Sequence, residues 1–195
     1  MNQPRVKNWG GPLSDSVSRY VDADIDEGDG ENSDLLLVQI SEPATRTPAN
    51  NKACNNAQAS AFVSANGAYA NQIAQRTSVS ATNLLGLSAL ESNFGTSNLA
   101  TNYNNYFGLT VGSAFKGTTG VYATSDGRNF GIYPSPGFLT SGLSFAQSFQ
   151  GRRVTGVTDP ATFAQRLNTR PLAFNSEPGY AGKLVLRINQ VSACQ

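Results

Sequence analysis

Acidic residues are scarce over most of this chain, and one of them lies where a solubilising charge is out of place. Residues 84–95 read Leu-Leu-Gly-Leu-Ser-Ala-Leu-Glu-Ser-Asn-Phe-Gly. This stretch predicts an apolar helix that stops at Gly95 and carries a single acid, Glu91. Helical residues lie about 100° apart in projection, so Leu84, Leu87, Ser88 and Glu91 share one face. That face is expected to be buried. Burial disfavours the ionised carboxylate and raises its pKa. The negative end of the helix dipole acts in the same direction on a residue in the last turn. A carboxyl group that keeps its proton near neutral pH is what a general acid requires. The plainer alternative is a glutamate that turns out to solvent as the helix frays.

Other chemistries are excluded by what is missing. The chain has no histidine, which removes Ser-His-Asp and Cys-His catalysis and most zinc sites. It has no P-loop, no G-x-S-x-G and no dinucleotide fingerprint, so neither metal nor cofactor is expected. Charge is unevenly spread. Residues 1–42 hold nine acids and three bases, a net of −6, whereas the remainder holds 11 bases and four acids, a net of +7. A basic body suits an anionic polymer such as nucleic acid, an anionic lipid surface or cell-wall glycan. Familiar nucleic-acid motifs are absent. Carboxylate chemistry in that body has only Glu91, Asp126, Asp159 and Glu177 to draw on. Asp159 reads as a helix cap and Glu177 as the residue before a helix-starting proline. Asp126 reads as a turn residue, and serves as a catalytic base only if its turn folds over a cleft.

These residues must be positioned by a single core, which 195 residues at 39% hydrophobic content can supply. Residues 1–53 read as an acidic, partly ordered extension, with an apolar run at 35–40 that would dock on the body. Residues 54–195 read as the domain. No run of 18 apolar residues is present, so no membrane span is expected. No apolar leader follows Met1, so for work outside the cytosol either a route other than a cleaved signal or a leader already removed is expected.

Within the domain, a helix over 55–76 would turn Phe62, Ala65, Tyr69 and Ile73 inward. Ser80 would cap a helix over 81–92. Asp126-Gly127 predicts a two-residue hairpin turn, pairing Ala123 with Phe130 and Val121 with Ile132. Three helices follow: one from Ser135-Pro136 to about 149 with proline in its first turn, one from Asp159-Pro160, and one from near Pro178. The class is α+β, mainly helical with one small hairpin lobe. Cys54 and Cys194 flank this domain, either bridged between the first and last helices or as two free thiols. Between the Glu91 helix and the hairpin, Asn104, Asn105 and Tyr106 offer amides and a ring, groups that suit sugar hydroxyls, N-acetyl groups and pyranose faces. A turn-rich loop with core aromatics would use the same residues.

Three blocks in order resemble the glucosaminidase-type, lysozyme-like domain of cell-wall hydrolases, which includes bacterial autolysins and the flagellar rod-assembly hydrolase. The first is Leu87-Ser88-Ala89-Leu90-Glu91-Ser92-Asn93-Phe94-Gly95-Thr96-Ser97, similar to the family's Ala-x-x-Glu-Ser-x-aromatic-Gly-x-Ser. The second is Asn104-Asn105-Tyr106-Phe107-Gly108-Leu109. The third is Pro178-Gly179-Tyr180-Ala181-Gly182-Lys183-Leu184. Phe130-Gly131-Ile132-Tyr133-Pro134 also matches the family's turn from hairpin to helix.

The resemblance spans roughly 57–191. It implies hydrolysis of β-1,4 bonds in peptidoglycan glycan strands, as glucosaminidase or muramidase. Glu91 would be the catalytic acid and Tyr180 would face the glycan, with Phe94, Asn104, Asn105, Tyr106 and Tyr133 contacting sugar. Family members often carry a second acid on the hairpin, and here 112–128 offers only Asp126. Without a second carboxylate, the substrate's own N-acetyl group could act as nucleophile. A cell-wall substrate without a leader suggests a type VI secretion effector, which would meet a cognate immunity protein, or a phage lysin. The rival class is a non-catalytic peptidoglycan-binding or assembly module with the same fold, which the missing hairpin glutamate favours.

Overall fold

The computed structural model describes residues 6–7, 54–111, 117–170 and 173–195. Apart from Val6–Lys7, the expected N-terminal extension and its apolar run at 35–40 lie outside the described residues. The element order is β1 (Val6–Lys7), α1 (Ala57–Thr77), α2 (Ala81–Glu91), α3 (Asn98–Tyr103), β2 (Gly120–Ala123), β3 (Asn129–Ile132), α4 (Gly137–Gln147), α5 (Phe149–Arg153), α6 (Pro160–Asn168) and α7 (Tyr180–Ser192). The fold is α+β and lysozyme-like, a helical body with one small antiparallel sheet of order β1-β2-β3.

Local chemistry starts most of the helices. The side chains of Asn56, Ser80, Ser97, Ser148 and Asp159 each accept a backbone N–H of the helix they precede, so these orphan donors are satisfied. The inward face of α1 is Ala59, Phe62, Asn66, Ala70 and Ile73. This corrects the expected stripe: Ala65 is exposed and Tyr69 lies at the margin of the core. Small residues let the neighbouring helices approach closely there. A Cβ on Gly142 of α4 would sit 2.5 Å from Ile73 Cδ1.

Three further expectations are corrected. Pro136 is the N-cap of α4, in extended conformation, and not part of its first turn. The helix also ends early, because Ser148 is extended and its hydroxyl caps the separate α5. The hairpin is closed by three residues, with Gly127 N–H donating to Thr124 O at 3.1 Å and Thr124 N–H to Arg128 O at 2.9 Å. Gly127 is left-handed, at φ 83°, the conformation a three-residue loop of this kind needs. The register moves by one residue in consequence: Tyr122 pairs with Phe130, Val121 with Gly131 and Ala123 with Asn129.

The centre of the body is the pair α2 and α7, which run antiparallel. Glu91 meets Tyr180 at one end, Gly86 meets Ile188 in the middle, and Thr82 donates to Gln195 at the other end. Leu84, Leu85, Leu87, Leu184 and Ile188 are fully buried. Beyond that end, Cys194 is bonded to Cys54 ahead of α1, with Cα atoms 4.7 Å apart.

Gly86 sets how closely the pair packs, since a Cβ there would fall 2.3 Å from Ile188 Cγ1 and 2.6 Å from its Cα. Backbone cannot swing aside as a side-chain tip does. Gly86→Ala is therefore expected to cost about 3 kcal/mol and lower the thermal midpoint by roughly 5–10 °C. Gly182→Ala, also in α7 but with nothing within 4 Å of its added methyl, is the control and should not melt lower. Equal midpoints for the two variants would show that α2 and α7 are not held at this spacing.

Candidate active site

Glu91 is the last residue of α2. The chain then reverses through a left-handed turn, with φ of 48° at Asn93, 55° at Phe94 and 78° at Gly95. Two of these three are not glycine, and left-handed conformations cost a side-chain-bearing residue roughly 1–2 kcal/mol. Ser92 holds the turn: its buried hydroxyl donates to Ser88 O at 2.6 Å and accepts Gly95 N–H at 2.8 Å. The side chain of Phe94 fills the space beneath, edge-on to Phe62, with the Arg187 guanidinium 4.2 Å from its ring centre.

The carboxyl group of Glu91 is enclosed from two sides. Tyr180, the first residue of α7 and 2% exposed, donates its hydroxyl to Glu91 Oε1 at 2.7 Å. On the other side is Gly108, at φ 61°, where a Cβ would come within 3.2 Å of Oε2. A glycine thus serves both the backbone conformation and the room for the carboxylate. Burial is the largest influence on the acid and raises its pKa. The Tyr180 hydrogen bond opposes this, and the negative charge of Glu177 adds to the rise. The net direction is upward, which keeps the proton on Glu91 above the usual carboxylate range. Burial, then the charge of Glu91, push the Tyr180 hydroxyl up as well, so it remains a donor.

Of the residues expected to touch sugar, Asn105, Tyr133 and Phe94 are buried, whereas Asn104 and Tyr106 are half-exposed. Asn105 is 1% exposed and its amide is fully engaged. It donates to Leu109 O at 2.9 Å and Gly131 O at 3.0 Å, and accepts Leu109 N–H at 2.9 Å. This lashes the Gly108 loop to β3, which is its positioning role. Asn104 caps α3 in left-handed conformation and donates to Tyr133 O at 3.0 Å. Tyr133 is 1% exposed, its hydroxyl donates to Ser144 Oγ at 3.1 Å, and it is core. Phe94 is core as well.

Tyr106 keeps a partly exposed ring, packed edge-on to Phe138, and alone among these candidates leaves an aromatic surface that substrate can reach. Asp126 lies at the exposed hairpin tip, bonded to the Thr124 hydroxyl and to Arg128. These bonds hold its carboxyl at about 2, which makes it a poor proton acceptor. Among the described residues, no cluster of three His, Cys, Asp or Glu side chains forms a metal site.

Two features escaped the sequence reading. Tyr103 and Tyr122 stack at 4.2 Å, joining α3 to the sheet; they are 19 positions apart and share no spacing signal. Glu177, passed over as the residue before Pro178, lies near enough for its charge to bear on Glu91.

An acid at a helix end whose pKa burial raises, bonded to a tyrosine donor, is suited to protonating a leaving oxygen. Residues 67–193 match the glucosaminidase family, described as mannosyl-glycoprotein endo-beta-N-acetylglucosaminidase. The chain belongs to this family. It is a glycoside hydrolase by descent and by fold.

Among solved structures, it is similar to one described as a type VI secretion system effector-immunity complex from Pseudomonas protegens. That match has 35% identity and a TM-score of 0.62 over 72% of this chain and 96% of the other. A peptidoglycan hydrolase from Sphingomonas sp. A1 matches at 27% identity and a TM-score of 0.55, covering 69% and 90% of the two chains. The glycoside hydrolase domain of Salmonella typhimurium FlgJ matches at 25% and 0.54, covering 69% and 89%. No curated protein sequence matches the chain.

Proposed function

We propose that this glycoside hydrolase cuts β-1,4 bonds in the glycan strands of bacterial peptidoglycan, as a glucosaminidase or a muramidase, with Glu91 as the general acid. The observation that carries the reading is the half-buried Glu91 carboxyl bonded to the Tyr180 hydroxyl at 2.7 Å, with burial the main cause of its raised pKa. Glu91 gives its proton to the glycosidic oxygen as the bond to C1 breaks. The carboxylate left behind is then stabilised by the same Tyr180 hydrogen bond, which strengthens as charge develops. Tyr106 supplies a ring face for a pyranose. The sacculus is an anionic polymer, and the net charge of +7 outside residues 1–42 suits it.

Digestion of purified sacculi by the full chain, with mass spectrometry of the reduced products, tests this. Soluble muropeptides are expected, and the sugar at the new reducing end names the bond cut. Sacculus binding without products would make the chain a binding module instead. Similarity to an effector-immunity complex over nearly all of that chain supports a further reading. In it, the protein is a toxin delivered by a type VI machine to the cell wall of a rival, and an immunity protein blocks its cleft.

Tyr180→Phe removes the one hydrogen bond that favours ionised Glu91. The pKa of Glu91 should rise further, so the alkaline limb of the kcat/KM profile should move to higher pH. Turnover should fall at least about tenfold, because a hydrogen bond to a charged group contributes roughly 1.5–3 kcal/mol. An unmoved alkaline limb would separate Tyr180 from the acid.

A further inference from the structure

We propose that Glu177 is the second carboxylate of this enzyme, the general base that takes a proton from the attacking water. The proposal rests on the reading of the chain as a glycan hydrolase with Glu91 as its acid.

Residues 54–195 contain four acids, and three have other work. Glu91 accepts the Tyr180 hydroxyl and is the proposed acid. Asp126 is tied to Thr124 and Arg128 at the hairpin tip. Asp159 Oδ2 accepts both the backbone N–H and the hydroxyl of Thr162 at 2.7 Å, capping α6. That leaves Glu177, three residues ahead of the tyrosine that holds the acid. Its carbonyl accepts the N–H of Tyr180 at 3.1 Å, the residue whose hydroxyl holds Glu91.

The turn carrying Glu177 is braced although its side chain is exposed. Its N–H donates to Asn175 Oδ1 at 2.9 Å, and Gly179, at φ 80°, bends the chain into α7. Lys183, one turn into α7, pairs with Oε1, which favours a charged carboxylate in a fixed place. Among the described residues, Oε2 has no hydrogen-bond partner. Glu91 and Glu177 thus lie at the same end of the α2–α7 pair, Glu91 closing α2 and Glu177 leading into α7, with Tyr180 hydrogen-bonded to both. The effect of Glu177 on Glu91 noted above agrees with that placement.

The step balances without any other reactant. Glu91 transfers its proton to the glycosidic oxygen, and the electron pair of the C1–O bond leaves with that oxygen. Water attacks C1 from the opposite face and gives its proton to Glu177. One water is consumed, Glu91 ends as the carboxylate and Glu177 as the acid, and solvent restores both. A single displacement of this kind inverts C1.

The test uses the full chain on purified sacculi or soluble glycan strands. For wild type, proton NMR should show the α-anomer as the first product of the β-bond. Glu177→Gln should fold normally, melt within a degree or two of wild type, and lose about 10²–10⁴-fold in kcat. Azide, which needs no deprotonation, should restore its turnover and give the α-glycosyl azide. If Glu177→Gln retains activity within about threefold, or the first product is the β-anomer, the proposal is overturned and the hydrolase reading stands. If wild type yields no reducing ends at all, both fall.

Discussion

Glu91→Gln is expected to abolish glycan hydrolysis, lowering kcat by about 10³-fold or more, while leaving the fold intact. Glutamine has the size and shape of glutamic acid, and its carbonyl can still accept the Tyr180 hydroxyl now 2.7 Å from Oε1. What it lacks is the transferable proton. General-acid contributions run at about 10²–10⁴-fold, and a sugar alkoxide is a poor leaving group without protonation. Stability should not suffer, because burial already penalises the charged form of Glu91 and the neutral amide removes that penalty. The variant should therefore melt at or above the wild-type midpoint and still sediment with sacculi. Reducing-end release from sacculi is the measurement. Activity within tenfold of wild type would remove Glu91 from the chemistry and, with it, the reason for enclosing a carboxyl between Tyr180 and Gly108.

What could be read in the sequence and what could not divide along physical lines. The helix ending at Glu91 was legible as an element but not as one buried face, since Asn83 to Ala89 are buried all the way round it and Glu91 is only half-buried; the caps at Ser80 and Asp159 were legible because capping is a local property. The hairpin was legible in place but not in register. Asp-Gly suits a two-residue turn and also the last two positions of a three-residue one, and only the observed Thr124–Arg128 closure separates them. The place of Asn105 was not legible for a different reason. The amide that would grip a sugar is the same amide that satisfies a buried loop, and Asn105 spends all its capacity on Leu109 and Gly131. Tyr133 misled likewise, its hydroxyl consumed by Ser144. Contacts across long separations, Glu91 to Tyr180 at 89 positions or Tyr103 to Tyr122, carry no periodic signal and come only from the fold.

Loss of the Cys54–Cys194 bridge is expected to be the largest single blow to stability. The bond closes 140 positions of chain, and the chain-entropy argument assigns such a closure roughly 5 kcal/mol. For a protein of this size that corresponds to about 10 °C or more in thermal midpoint. Reductant should lower the midpoint of wild type by that amount and leave the Cys54→Ala, Cys194→Ala double variant, already low, unchanged. Equal midpoints with and without reductant would refute it.

Activity at low temperature should survive reduction, because the bridge and the acid lie at opposite ends of the same helix pair. Tyr180 begins α7 and Cys194 follows its end, a separation of roughly 21 Å along the helix direction at 1.5 Å per residue. The chemistry and the fastening are thus independent along α7. Thiols stay reduced in a cytosol and oxidise outside it. A chain fastened this way would therefore reach full stability only in an oxidising compartment.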